Sequence, residues 1–217
     1  MTDANVYDLD VTDGLLSTTR AVRKRLDLER PVPEEILKDC VRLAQQAPTG
    51  ANRQGWSWLI VREAGLRAAL AELYRRAAGP YLAASGREAE ARGARQDARV
   101  FASATYLAEQ LHRVPVHVIP CIDVSHLSDD VPRSAWAGTM GSIFPAVWSF
   151  QLALRARGLG SALTTLHLRY EKEAADLLGL PEQIMQCALL PVAYTKGTDF
   201  RPADRPPVET ILHWDRW

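Results

Sequence analysis

Cysteine is scarce in this 217-residue chain, and Cys40, Cys121 and Cys187 stand far apart with no C-x-x-C pair. That spacing argues against a disulfide framework or a zinc knuckle and fits a reducing compartment. Net charge is also lacking, because 26 basic side chains balance 26 acidic ones. No global field then draws the chain to nucleic acid or to an anionic membrane, and any anion site must be local. Glycine and proline, at 13 each, are too few for a collagen-like or low-complexity polymer. The start, MTDANVYDLDVTD, has neither the basic flank nor the apolar stretch of a signal peptide, so the expected location is the cytoplasm. The one long uncharged stretch, Ser134 to Leu154, is diluted by Gly138, Gly141, Pro145 and Gln151. It is expected to be a buried helix rather than a membrane span.

Several familiar reactive patterns are missing as well. The histidines at 112, 117, 126, 167 and 213 show no H-E-x-x-H or paired spacing, so no metal site is expected. No G-x-S-x-G elbow exists, and Cys40 stands in a Leu- and Ala-rich helical stretch as a small core residue. Gly50 to Ser57 has the glycine and serine spacing of a phosphate loop, but Trp56 replaces the lysine that must reach the phosphates. Gly158-Leu-Gly160 lacks the third glycine of a dinucleotide fingerprint, since position 163 is leucine. No catalytic side chain is assigned.

What the chain does contain is an alternation of helical and extended patterns, which places it in the α/β or α+β classes. Pro33, Glu34 and Glu35 open a helix with apolar positions Leu37, Val41 and Ala44 and a stop at Pro48. Trp56 to Val61 reads as a strand, and Leu66, Leu70 and Leu73 mark a second amphipathic helix. Ser85 to Arg99 carries crowded charges of both signs, a solvated helix or mobile excursion with no chemistry assigned. A helix through Leu107 and Leu111, a buried strand from Val114 to Ile122, a loop to Arg133 and the uncharged helix follow. Gly158 is expected to cap that helix in the left-handed region. Ser161 to Leu168 is expected to be extended, Glu171 to Leu178 helical, and Cys187 to Tyr194 a core strand. The tail from Thr195 to Trp217 ends with Ile211, Trp214 and Trp217, apolar anchors that must cover another surface of this chain or of a second subunit.

Four segments remain for chemistry. Thr18 to Arg25 places Arg20 and Arg23 three apart, on one side as in a helix, suited to a phosphate; its bland reading is a solvated basic face. A nucleic-acid surface is disfavoured by the neutral chain and the absence of interleaved aromatics. The turn Ala47 to Trp56 offers Asn52 and Gln54, whose amides suit the edge of a planar heterocycle. Gly158 to His167 offers backbone N–H groups, and Arg205 in the tail another cation.

Taken in this order, the segments resemble the FMN-dependent nitroreductase family from about Ser17 to the C-terminus. The N-terminal phosphate segment of that family, R-R-S-x-R, is matched by Thr19, Arg20, Ala21 and Arg23. Two departures, Thr19 for arginine and Ala21 for serine, shift the expected grip onto Arg20, Arg23 and backbone N–H. The P-S-x-x-N-x-Q-P-W turn is matched by Pro48, Thr49, Gly50, Ala51, Asn52, Arg53, Gln54, Gly55 and Trp56, with glycine in place of the second proline. Leu163, Thr164 and Thr165 match the stretch beside the reactive flavin nitrogen, and Arg205 matches a late basic residue near the phosphate.

The resemblance implies an α+β fold with a mixed sheet flanked by helices, forming an intertwined homodimer. It implies one domain over residues 1–217, with the tail from about 195 to 217 packed on the partner. FMN would lie at the subunit interface, held by Thr19, Arg20, Ala21, Arg23, Thr49, Ala51, Asn52, Gln54, Leu163, Thr164, Thr165 and Arg205. Hydride would pass from NAD(P)H through the flavin to nitroaromatic, quinone or enone acceptors in ping-pong order. The alternative is a flavin-binding module without turnover.

Overall fold

A computed structural model describes residues 7–128 and 130–217; the first six residues of the acidic start lie outside the described residues. Helix α1, Leu9–Thr18, starts where the Asp8 carboxylate accepts from the Val11 N–H at 3.1 Å. Helix α2, Glu34–Ala44, has its two glutamates in the first turn, where the helix dipole favours negative charge. It stops at Ala44, short of the expected Pro48: the Gln45 N–H makes the last i→i−4 bond, to Val41 O, and the Gln46 and Ala47 N–H groups then tighten onto 43 and 44. Strand β1 is Trp56–Val61.

The largest departure from expectation is helix α3, Ala64–Ala91, which runs straight through Pro80 and takes in the first half of the charged segment. A proline in a helix interior normally costs several kcal/mol. Here the helix is retained by a long buried stripe, including Leu70, Tyr74, Ala78 and Leu82. A turn at 92–94, with Gly93 at φ 67°, reverses the chain into α4, Arg95–Gln110. The charged segment is therefore the tip of a helical hairpin, the solvated-helix reading of that stretch.

Strand β2, Val116–Asp123, is the buried centre of the sheet, and α5, Arg133–Ala156, is the uncharged helix. Among the described residues no helix is long and apolar enough to cross a membrane. Gly158 takes the left-handed φ of 73° and turns the chain into β3, Leu159–Ser161. The extended run expected to Leu168 stops at Ser161. An isolated bridge pairs Thr164 with Leu189, and Leu166–Tyr170 tightens into a 3-10 helix leading to α6, Glu171–Leu178. The strand expected over Cys187 to Tyr194 is split into β4, Ile184–Gln186, and β5, Leu190–Tyr194. The interruption falls where Leu189 turns its backbone to Thr164 and Cys187 donates to Pro120 O.

The sheet runs β1-β2-β5-β3, with β4 on β2 beyond β5, and every ladder is antiparallel. One parallel pairing, Ala21 with Ser161, adds the segment after α1 at the β3 edge. The period-two alternation of β2 divides the core: Ile119 and Cys121 face α3 and α4, while Val116, Val118 and Ile122 face α2 and α5. The result is an α+β fold with helices on both faces of a central sheet.

Candidate functional site

Arg20 and Arg23 are not on a helix. α1 ends at Thr18, and the Thr19 N–H and hydroxyl both donate to Leu15 O, so Thr19 finishes the helix and does not line the arginine cavity. The next residues are held flat against β3 by the Ala21–Ser161 bridge and by the Val22 N–H donating to Ser161 O at 2.8 Å. Gly160 makes this approach possible: a Cβ there would lie 2.9 Å from Val22 and 2.8 Å from Thr195. Pinned in this way, Arg20, Ala21 and Arg23 line a cavity of about 560 Å³.

Helix α4 supplies the facing wall with Arg95, Arg99 and Ser103, and the tail supplies Pro202 to Asp204. The Arg20 guanidinium donates to Arg201 O at 3.1 Å, which ties the tail to the N-terminal segment. Arg23 is half-buried and donates to the Ser103 hydroxyl at 3.3 Å. Burial lowers its pKa, and the neighbouring Tyr74 opposes that shift. Among the described residues none of the four cavity arginines forms an ion pair. Four unpaired guanidinium groups against one acid, Asp204, suit a phosphate far better than a cation or an apolar ligand.

From Arg23 the site continues through Tyr74 to Thr164, whose hydroxyl donates to the Tyr74 oxygen at 3.3 Å. The Thr164 N–H is taken by Leu189 O at 3.1 Å, while among the described residues the N–H groups of exposed Leu163 and Thr165 have no backbone acceptor. Two donors without a backbone acceptor thus flank Thr164, on a segment fixed by the bridge between them and joined to Arg23 through Tyr74. The tail reaches the cavity one residue away from expectation. Arg205 is exposed, and its guanidinium donates to Asp204 O at 3.1 Å.

The turn with Thr49, Ala51, Asn52 and Gln54 lies elsewhere. Three of its residues that are not glycine, Ala51, Asn52 and Gln54, hold φ near +52°, a region that costs an L-residue about 1 kcal/mol or more. The strain is fixed by the Gln54 N–H donating to the Thr49 hydroxyl, by the Gln54 amide donating to Asn52 Oδ1, and by the Gly50 N–H donating to Ser142 on α5. The turn lines its own cavity of about 680 Å³ with Asp123 and His126. It feeds β1, one edge of the sheet, whereas the arginine segment lies beyond β3, the other edge. Four strand-to-strand steps of about 4.8 Å separate them, roughly 19 Å. One chain therefore brings Arg20, Arg23 and the 163–165 segment together with the tail, and does not bring the turn to them.

Sequence reading missed Arg95, Arg99, Tyr74 and Asp204. The four-residue spacing of Arg95 and Arg99 was a usable signal, since it places both on one helix face.

The model of the Nitroreductase family matches residues 16–194. The chain belongs to the nitroreductase family, and so is a flavoprotein oxidoreductase in the general sense. It is similar to a Thermus thermophilus protein named NADH dehydrogenase, 27% identical over 95% of this chain and all of that one. Among solved structures it resembles nitroreductase A from Vibrio parahaemolyticus, at 15% identity and TM-score 0.70, covering 95% of this chain and 76% of the other. It also resembles an iodotyrosine deiodinase bound to FMN and 3-iodo-L-tyrosine, at 24% identity and TM-score 0.69, covering 94% and 99%. The two structural likenesses share the fold.

Proposed function

We propose that the protein is a cytoplasmic, homodimeric FMN-dependent NAD(P)H oxidoreductase acting on nitroaromatic, quinone or enone acceptors in ping-pong order. The observation that carries this reading is the convergence on one cavity of four arginines that form no ion pair among the described residues, linked through Arg23, Tyr74 and Thr164 to the segment whose Leu163 and Thr165 N–H groups have no backbone acceptor there. Arg20 and Arg23 would hold the FMN phosphate, and the 163–165 backbone would donate toward the ring edge. FMN, when bound there, would supply the two-electron carrier for hydride transfer.

The sheet-edge separation supports the homodimer reading. The strained turn with Thr49, Ala51, Asn52 and Gln54 would complete the site of a second copy, offering amide groups held rigid by their mutual hydrogen bonds. The tail fits the same arrangement within one domain spanning 1–217. Ile211 is 75% and Trp214 80% exposed, and Trp217 is wholly so, which leaves three large apolar groups uncovered by their own chain. Residues from about 195 to 217 would pack on the partner.

The test is purification followed by an absorbance spectrum and steady-state turnover. A yellow protein that oxidises NADH or NADPH when a nitroaromatic is added supports the reading. Colourless protein that ignores added FMN refutes it, and yellow protein without turnover leaves only a flavin-binding module. Removing residues 208–217 should turn a dimer into a monomer in sedimentation; a truncated chain that stays dimeric overturns the role given to the tail.

A further inference from the structure

The arginine cavity carries more positive charge than one flavin phosphate accounts for. Four guanidinium groups and one carboxylate, Asp204, line it, and a phosphate monoester brings about −1.5 to −2 at pH 7. The four arginines differ in what occupies them. Arg20 and Arg23 are each engaged, by Arg201 O and by the Ser103 hydroxyl. Among the described residues the side chains of Arg95 and Arg99 make neither a hydrogen bond nor an ion pair with the protein, although both line the cavity. Four apart on α4, they form a like-charge pair that destabilises a bare helix. The start of the same helix has no side-chain cap, and the Gln96 N–H, also at the cavity, has no backbone acceptor. An anion would relieve the repulsion and satisfy the open donor. The volume, about 560 Å³, lies within the usual range for small-ligand pockets and exceeds what a single phosphate needs.

We propose that Arg95 and Arg99 of α4 form a second anion subsite beside the flavin-phosphate grip, taking a phosphate group of the nicotinamide dinucleotide that donates the hydride. The proposal rests on the reductase reading above. Two phosphates share the required chemistry: the 2′-phosphate monoester carried by NADPH alone, and the pyrophosphate common to NADPH and NADH.

The experiment uses the purified flavin-loaded protein with Arg95→Gln, Arg99→Gln and the double substitution; both positions are exposed, so folding is not at stake. Flavin content is read from absorbance. Binding of adenosine 2′,5′-bisphosphate and of 5′-ADP is read by calorimetry, and kcat/KM is measured with each reduced nucleotide. The expected result is unchanged flavin content with adenosine 2′,5′-bisphosphate bound about ten- to hundredfold more weakly, as for loss of a charge-assisted bond. A fall in kcat/KM confined to NADPH assigns the 2′-phosphate. An equal fall for NADH, with 5′-ADP also weakened, assigns the pyrophosphate. Unchanged nucleotide binding overturns the proposal. So does loss of flavin from the α4 variants, which would place Arg95 and Arg99 on the flavin phosphate itself. Wild-type protein that binds no flavin defeats the reductase reading and the subsite together.

Discussion

Gly160→Ala tests how the arginine segment is held without touching any group that contacts a ligand. The added methyl would meet Val22 Cβ and Cγ2 at 2.9 Å and Thr195 Cγ2 at 2.8 Å, well inside the 3.5–4.0 Å of ordinary carbon contact. Val22 is only 5% exposed and cannot retreat without loosening its N–H bond to Ser161 O. Overpacking costs about 1–3 kcal/mol and the weakened hydrogen bond about 1 kcal/mol. The expected destabilisation is thus about 2–4 kcal/mol, with Arg20 and Arg23 displaced from the cavity. Gly158→Ala is the control: nothing lies within 4 Å of its Cβ, and the cost, about 1–2 kcal/mol, comes only from the left-handed backbone. Urea unfolding gives the stability of both variants, and fluorescence titration with FMN gives their flavin affinity. Gly160→Ala should lose stability and flavin affinity, and Gly158→Ala stability alone. Wild-type flavin affinity in Gly160→Ala would refute the idea that this close approach positions the arginines.

Acid should weaken the fold from about pH 6.5 downward through two buried histidines. Burial holds the fully covered rings of His117 and His167 at a pKa of about 4, well below the ordinary 6.5. The unfolded chain then binds more protons between those values, so the stabilisation is complete above pH 6.5 and declines as pH falls toward 4, by roughly 3 kcal/mol for each ring. Urea midpoints that stay level from pH 7 to pH 5 would contradict this. Ala51→Gly should relieve left-handed strain at φ 52° and, after the entropy glycine adds to the unfolded chain, gain about 0.5–1 kcal/mol. A thermal midpoint lower than wild type would show that the conformation is not strained.

The sequence was most readable where local chemistry decides the outcome. Glutamates at the start of α2 and the left-handed glycines 158 and 179 mark their helix ends through backbone rules alone. Proline did not always mark a helix end: the uncharged helix is expected to contain Pro145 and does, and α3 likewise continues through Pro80, where burial against the sheet outweighs the missing hydrogen bond. The break between β4 and β5 depends on Thr164, more than twenty residues earlier, and no window of sequence contains both partners. The four-residue spacing of Arg95 and Arg99 makes their shared helix face legible, but among charges of both signs nothing marks that face as a site until the facing wall is known. The motif segments were legible in order, but their distribution between the two sheet edges is a property of topology, invisible to linear spacing.

That distribution has a thermodynamic consequence. If each cradle borrows its second half from a neighbouring molecule, occupancy becomes linked to association, and dilution alone should strip colour from the protein by mass action. It also permits complementation: a chain crippled at Arg20 mixed with one crippled at Gln54 would regenerate one intact cradle in each hybrid pair, leaving the other doubly damaged.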